Sequence, residues 1–171
     1  MAVALIALLF VGQSEARCLN RANTSVPEST PTANFTINAD GTVTAPMTGL
    51  MWKRCLEGQT LSAGACTGAP TIYVWTDALA AAQASTFAGH DDWRLPNAKE
   101  LFSIVEDRCG APALNADLFP LSAIYGVWSS TPTAIYNANY FADVWYMSLD
   151  GFVEVVSPNQ EIHALLVRDL P

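Results

Sequence analysis

Basic residues are scarce in this 171-residue chain: 8 Lys and Arg stand against 16 Asp and Glu, for a formal net charge of −8. No basic stripe with interleaved aromatics occurs, which excludes a nucleic-acid or polyanion surface and leaves cations or basic partners favoured at long range. Histidine is scarcer still. His90 and His163 are the only two, their spacing fits no zinc finger, and no C-x-x-C pair is present. There is no G-x-S-x-G or comparable nucleophile motif, and no EF-hand spacing of oxygen ligands. Calcium through Asp91, Asp92, Asp143 or Asp150 is the one cofactor the sequence leaves open; otherwise none is expected.

Long hydrophobic runs are missing beyond the first residues. Met1 to Gly12 is apolar but short for a bilayer span, and Ser14-Glu15-Ala16 carries small residues at the −3 and −1 positions of a signal-peptidase site. The expectation is a leader over residues 1–16, Arg17 as the first mature residue and no stable membrane span after cleavage. Residues preceding Cys18 do not make a lipobox.

Four cysteines in an exported chain point to disulfides. Three pairings are possible. Cys55 and Cys66 bracket a polar, Gly-rich loop and form the natural local pair, leaving Cys18 for Cys109; the rival reading of the four is zinc.

What is present is a middle stretch, Asp92-Trp93-Arg94-Leu95-Pro96-Asn97, that reads as a short strand, a stop and a helix cap. Pro96 ends the strand, Asn97 caps and Glu100 completes a capping box. The helix is expected to run through Leu101, Phe102, Ile104 and Val105 with its apolar side inward. Trp93, Arg94, Asn97 and Glu100 are read as structural, as are Trp52 and Trp128. Upstream, Thr76 is the expected N-cap of an Ala-rich helix reaching Ala84.

Around these helices the pattern is β. Phe35 and Ile37 lead to a turn at Asp40-Gly41 and a return through Val43, and Leu50-Met51-Trp52 follows a turn at Pro46 to Gly49. Val127 to Ser130 is a compact strand, Asp150-Gly151 joins two more, and Ala164 to Val167 supplies the last. Residues 17–33, rich in Ser, Thr, Pro and Asn, read as an extended arm, and residues 34–171 as one domain. The class is α+β, with two short helices on an antiparallel sheet. Tyr136, Asn137, Asn139, Tyr140 and Asp143 combine aromatic faces with amide and carboxylate groups between two strands, and form the candidate ligand-binding loop.

Asp40-Gly41-Thr42-Val43, Thr48-Gly49-Leu50-Met51-Trp52, Asp92 to Pro96 with Glu100-Leu101, and Trp128-Ser129-Ser130, in that order, resemble the C-terminal domain family of Legionella collagen-like adhesins. The resemblance runs from about Phe35 to Val167. It implies a C-type-lectin-like, disulfide-stapled fold, a secreted, periplasmic or cell-surface location, and adhesin-like recognition of a glycan or surface protein. This chain has no collagen-like Gly-X-Y tract and lacks the clustered basic residues that sulfated glycans require. Related lectin-like architectures include formylglycine-generating and iron-dependent oxidase enzymes. No cysteine follows Cys109 and no histidine cluster exists, so a noncatalytic module is expected, with a structural or pilus-associated component as the alternative.

Overall fold

Every strand signal in the first half closes on a turn that only certain residues can make. In the computed structural model, which describes residues 15–121, 126–133, 143–148 and 150–171, Gly41 takes φ +86°, a value that side chains with a Cβ rarely adopt. Thr36–Ile37 (β2) therefore folds back on Thr42–Ala45 (β3), which pairs in turn with Leu50–Lys53 (β4). Val167–Asp169 (β13) closes this four-stranded antiparallel sheet against β4.

A second, five-stranded sheet has the order β11-β10-β9-β12-β7. Its strands are Ile72–Tyr73 (β7), Gly126–Pro132 (β9), Val144–Ser148 (β10), Val153–Val156 (β11) and Ile162–His163 (β12). The β9–β12 step is parallel, through one pairing of His163 with Val127, so the sheet is mixed where pure antiparallel order was expected. Two short ribbons complete the β structure. Arg21–Ala22 (β1) pairs with Cys109–Gly110 (β8), and Thr60–Ser62 (β5) with Ala65–Thr67 (β6). The Gly-rich segment read as a loop is thus a hairpin, with Leu61 opposite Cys66.

Both helices form, with altered ends. Helix α1 spans Trp75–Ala84 and its N-cap is Val74, two residues before the expected Thr76, without a side-chain cap bond. The Trp75 indole fixes that start by donating to the Ser129 carbonyl at 2.8 Å. Helix α2 spans only Ala98–Phe102. Ser103 ends it by donating its hydroxyl to the Glu100 carbonyl at 2.6 Å, after which Val105 bridges Leu114. Leu101, Ile104 and Val105 are buried as expected, whereas Phe102, expected to face inward, is 64% exposed.

Two cores result, one on each face of the five-stranded sheet. The first holds Val43, Trp52, Leu101, Phe119, Val127 and Met147, between the two sheets and under α2. The second holds Ala78 and Ala82 of α1 with Trp93, Leu95, Trp128 and Val144. Alternation along the strands sends Val127 one way and Trp128 the other. The segment Ala164-Leu165-Leu166-Val167, expected as one strand, instead carries the chain from β12 in one sheet to β13 in the other. All four residues are fully buried. Leu165 and Val167 enter the first core, Ala164 and Leu166 the second. Lys53 and Glu57 donate backbone N–H groups to the Leu166 and Ala164 carbonyls, each at 3.0 Å, and Val167 exchanges both backbone bonds with Arg94, which pairs these buried polar groups.

The arm over residues 17–33 is held at more than its cysteine. Buried Glu106 accepts from Thr30 N and Oγ1, both at 2.7 Å, and from Ser29 N at 3.3 Å. Asn115, also buried, donates to the Thr30 carbonyl and the Thr32 hydroxyl and accepts from Arg17 N.

Candidate functional site

The expected structural residues are fixed by side-chain bonds of short reach. Asn97 Oδ1 accepts from Lys99 N and Glu100 N, both at 2.9 Å, while Glu100 Oε2 accepts from Asn97 N at 2.7 Å, which is the reciprocal capping box. Arg94 donates to both Glu100 oxygens at 2.8 Å and to Asp169 at 2.8 Å. Its hydrogen bond to Glu100, reinforced by Asp169, raises its pKa still further above the ordinary guanidinium value. The expected strand over Asp92 to Leu95 reduces to an extended segment with one bridge, Arg94 to Val167. Trp93 is buried and its indole donates to the Phe87 carbonyl at 2.9 Å; Trp128 is buried and donates to Tyr73 at 2.7 Å. Trp52 is buried with an edge-on contact to Phe119.

Cys18 bonds to Cys109 and Cys55 to Cys66, with Cα separations of 5.2 and 5.5 Å. These spacings suit disulfides.

Of the four aspartates considered for calcium, Asp92 is engaged by Arg168, which donates through Nε at 2.6 Å and a terminal nitrogen at 3.0 Å. Hydrogen bonding from Arg168 lowers the Asp92 pKa. Among the described residues, no group of three His, Cys, Asp or Glu side chains is placed to hold a metal ion. His163 is buried, with Nδ1 3.3 Å from the Thr71 carbonyl, a packing role inside the sheet.

Tyr136, Asn137, Asn139 and Tyr140 lie outside the described residues. Their flanks do not. Strands β9 and β10 are antiparallel neighbours, and the Asp143 carbonyl accepts from both Thr133 N at 2.8 Å and Thr133 Oγ1 at 2.9 Å. Thr133 and Asp143 are thus pinned together at the ends of β9 and β10, with Asp143 acting through its backbone.

Next along β10, Trp145 lines an open groove of about 310 Å³ with Ala98, Lys99, Phe102 and Val153. The short α2 creates it: the helix stops at Phe102, whose ring extends over the sheet face that Trp145 and Val153 share. Sequence reasoning took Phe102 as core and left Trp145 as an ordinary strand residue. The alternation of β10 was the available signal, since it sets Trp145 on the face of Met147 but one step farther toward the sheet's end. The nearly all-apolar lining, with Lys99 at its rim, suits a ligand having an apolar face.

Two disulfides, an α+β framework and a pinned neck near an apolar groove define a stapled domain. Residues 41–168 match the model of the Lcl C-terminal domain, so the chain belongs to that family of adhesin-like modules. Neither the characterised proteins nor the solved structures compared with it contain a match.

Proposed function

We propose that the protein is an exported, noncatalytic binding module that recognises a glycan or a surface protein in the manner of an adhesin. The groove of Trp145, Phe102 and Val153 beside the Thr133–Asp143 neck carries this reading. A rigid sheet holds an apolar surface near Asp143, the stretch preceding Asp143 is rich in Tyr and Asn in the sequence, and binding residues concentrate on segments between rigid elements. Family membership and the two disulfides agree with a secreted, periplasmic or cell-surface setting on a C-type-lectin-like framework. The absence of any cysteine after Cys109 and the presence of only two histidines argue against formylglycine-type and iron-type chemistry.

A glycan array and a surface-protein array, probed with the mature domain with and without calcium, test the proposal. Trp145→Ala, Tyr136→Ala and Tyr140→Ala should each weaken a recovered ligand while leaving the melting temperature nearly unchanged. Self-association on gel filtration with no signal on either array would instead identify a structural component. Intact mass of the exported protein should correspond to a start at Arg17; retention of residues 1–16 would refute the leader.

A further inference from the structure

Strand β11 lies at one edge of the five-stranded sheet. Ser148 N donates to the Phe152 carbonyl at 2.8 Å, and the antiparallel register continues as Tyr146 opposite Glu154 and Val144 opposite Val156. Bonded and non-bonded pairs alternate in such a ladder. Phe152, Glu154 and Val156 thus turn their backbone groups toward β10, while Val153 and Val155 turn theirs outward. Among the described residues, no strand meets that edge. Edge strands are commonly protected by lysine, proline or a bulge, but β11 reads Val-Glu-Val-Val. Its one charge is on the far face, where Glu154 accepts from the Tyr146 hydroxyl at 3.0 Å. Val153 and Val155 share their face with Trp145 and Met147. Val155 is 46% exposed and Phe152 65%.

The open backbone edge and the apolar groove are consequently one continuous surface. Lys99, at the groove's rim, forms no ion pair among the described residues. Saccharide hydroxyls entering this groove would give up water for a lining almost without polar partners. An extended peptide meets the opposite situation. Its backbone satisfies the outward groups of Val153 and Val155, and its alternate side chains enter the groove.

We infer that β11 and the Trp145 groove form a docking site for an extended strand of a partner protein, which adds to the sheet edge, buries an apolar side chain against Trp145 and Phe102, and sets a carboxylate near Lys99. This rests on the binding-module reading and chooses protein over glycan as its partner.

The test uses an acetylated hexapeptide of alternating valine and threonine ending in a free carboxylate, titrated into the full mature chain and followed by NMR. Saturable shifts should appear at the Val153 and Val155 amides and the Trp145 indole. The same peptide N-methylated on alternate residues, made in each of the two registers, should bind at least tenfold more weakly in the register whose N–H groups face β11 and nearly as well in the other. Val155→Pro removes an outward N–H that β10 does not use, a change edge strands tolerate, and should weaken binding at least tenfold with the fold retained. Lys99→Gln should cost severalfold with the free acid and little with the C-terminal amide. Absence of saturable binding, or equal binding of the N-methylated peptides or by Val155→Pro, overturns the strand-docking site. Binding that Lys99→Gln leaves unchanged overturns the carboxylate contact. A glycan recovered from the array that depends on Trp145 would leave the module reading standing while overturning the choice of protein.

Discussion

Glu100 serves two partners with one carboxylate: Oε2 accepts from Arg94 and from Asn97 N, at 2.8 and 2.7 Å, while Oε1 holds the second Arg94 nitrogen at 2.8 Å. The cap of α2 and the segment leading to it are therefore a single unit. Glu100→Ala should remove about 1 to 3 kcal/mol in urea unfolding, the scale of a lost cap together with a charged hydrogen bond. Glu100→Gln, which keeps an acceptor for Asn97 N, should lose less. Equal losses would show that the cap bond contributes nothing.

The three fully buried tryptophans differ in one respect that mutation can read. Trp93 and Trp128 donate to backbone carbonyls, whereas Trp52 Nε1 is buried without a hydrogen-bond partner. Replacing each by Ala should cost about 3 to 5 kcal/mol. Replacement by Phe should separate them, because Trp93→Phe and Trp128→Phe each remove a hydrogen bond to a backbone carbonyl, at an added cost of about 0.5 to 1.5 kcal/mol, and Trp52→Phe does not. Chemical denaturation of the six variants provides the check.

All four cysteines are paired, so alkylation of the native protein should add no label and alkylation after reduction should add four. The two bonds close loops of very different size, with separations of 91 and 11 residues. Chain entropy then assigns about 4 to 5 kcal/mol to Cys18–Cys109 and about 3 to Cys55–Cys66. Paired serine variants should destabilise in that order, as measured by denaturant midpoints.

Asp92 gives a pH dependence of defined sign. Its folded pKa lies below the unfolded value because Arg168 hydrogen-bonds the charged form. The stabilisation is present above the unfolded pKa, near 4, and is lost as pH falls through the folded value. An NMR titration of the Asp92 carboxyl should find a depressed midpoint, and Arg168→Gln should return it toward about 3.9. An unchanged midpoint in that variant would remove Arg168 as the cause.

Local chemistry made much of this molecule readable in advance. The Asn97–Glu100 box, the Asp40-Gly41 and Asp150-Gly151 turns and the two cysteine pairs depend on residues near one another or on a count of four. At Gly151, a Cβ would approach the Ala113 side chain to 2.8 Å, and φ is +81°. Misreadings arose where distant partners decide. Trp75 starts α1 through Ser129, far along the chain, so the nearer signal at Thr76 misplaced the cap. Phe102 looked like core because the pattern Leu-Phe-x-Ile-Val fits a longer helix, yet the helix ends and turns that ring outward. The groove was illegible for the same reason: it needs a short helix and a strand more than forty residues away to be set side by side. Asp143 was chosen for its carboxylate, while its backbone carbonyl closes the neck.

The crossing at Ala164 to Val167 also determines how the domain comes apart. Four consecutive side chains are shared between two cores, and their backbone ties to Lys53, Glu57 and Arg94. Neither layer can melt while the other keeps its native packing, since either event withdraws the same stretch of chain. The protein should lose structure in one concerted step, and the amides of Lys53 and Val167, which hold the crossing, should exchange with solvent only at the free energy of global opening.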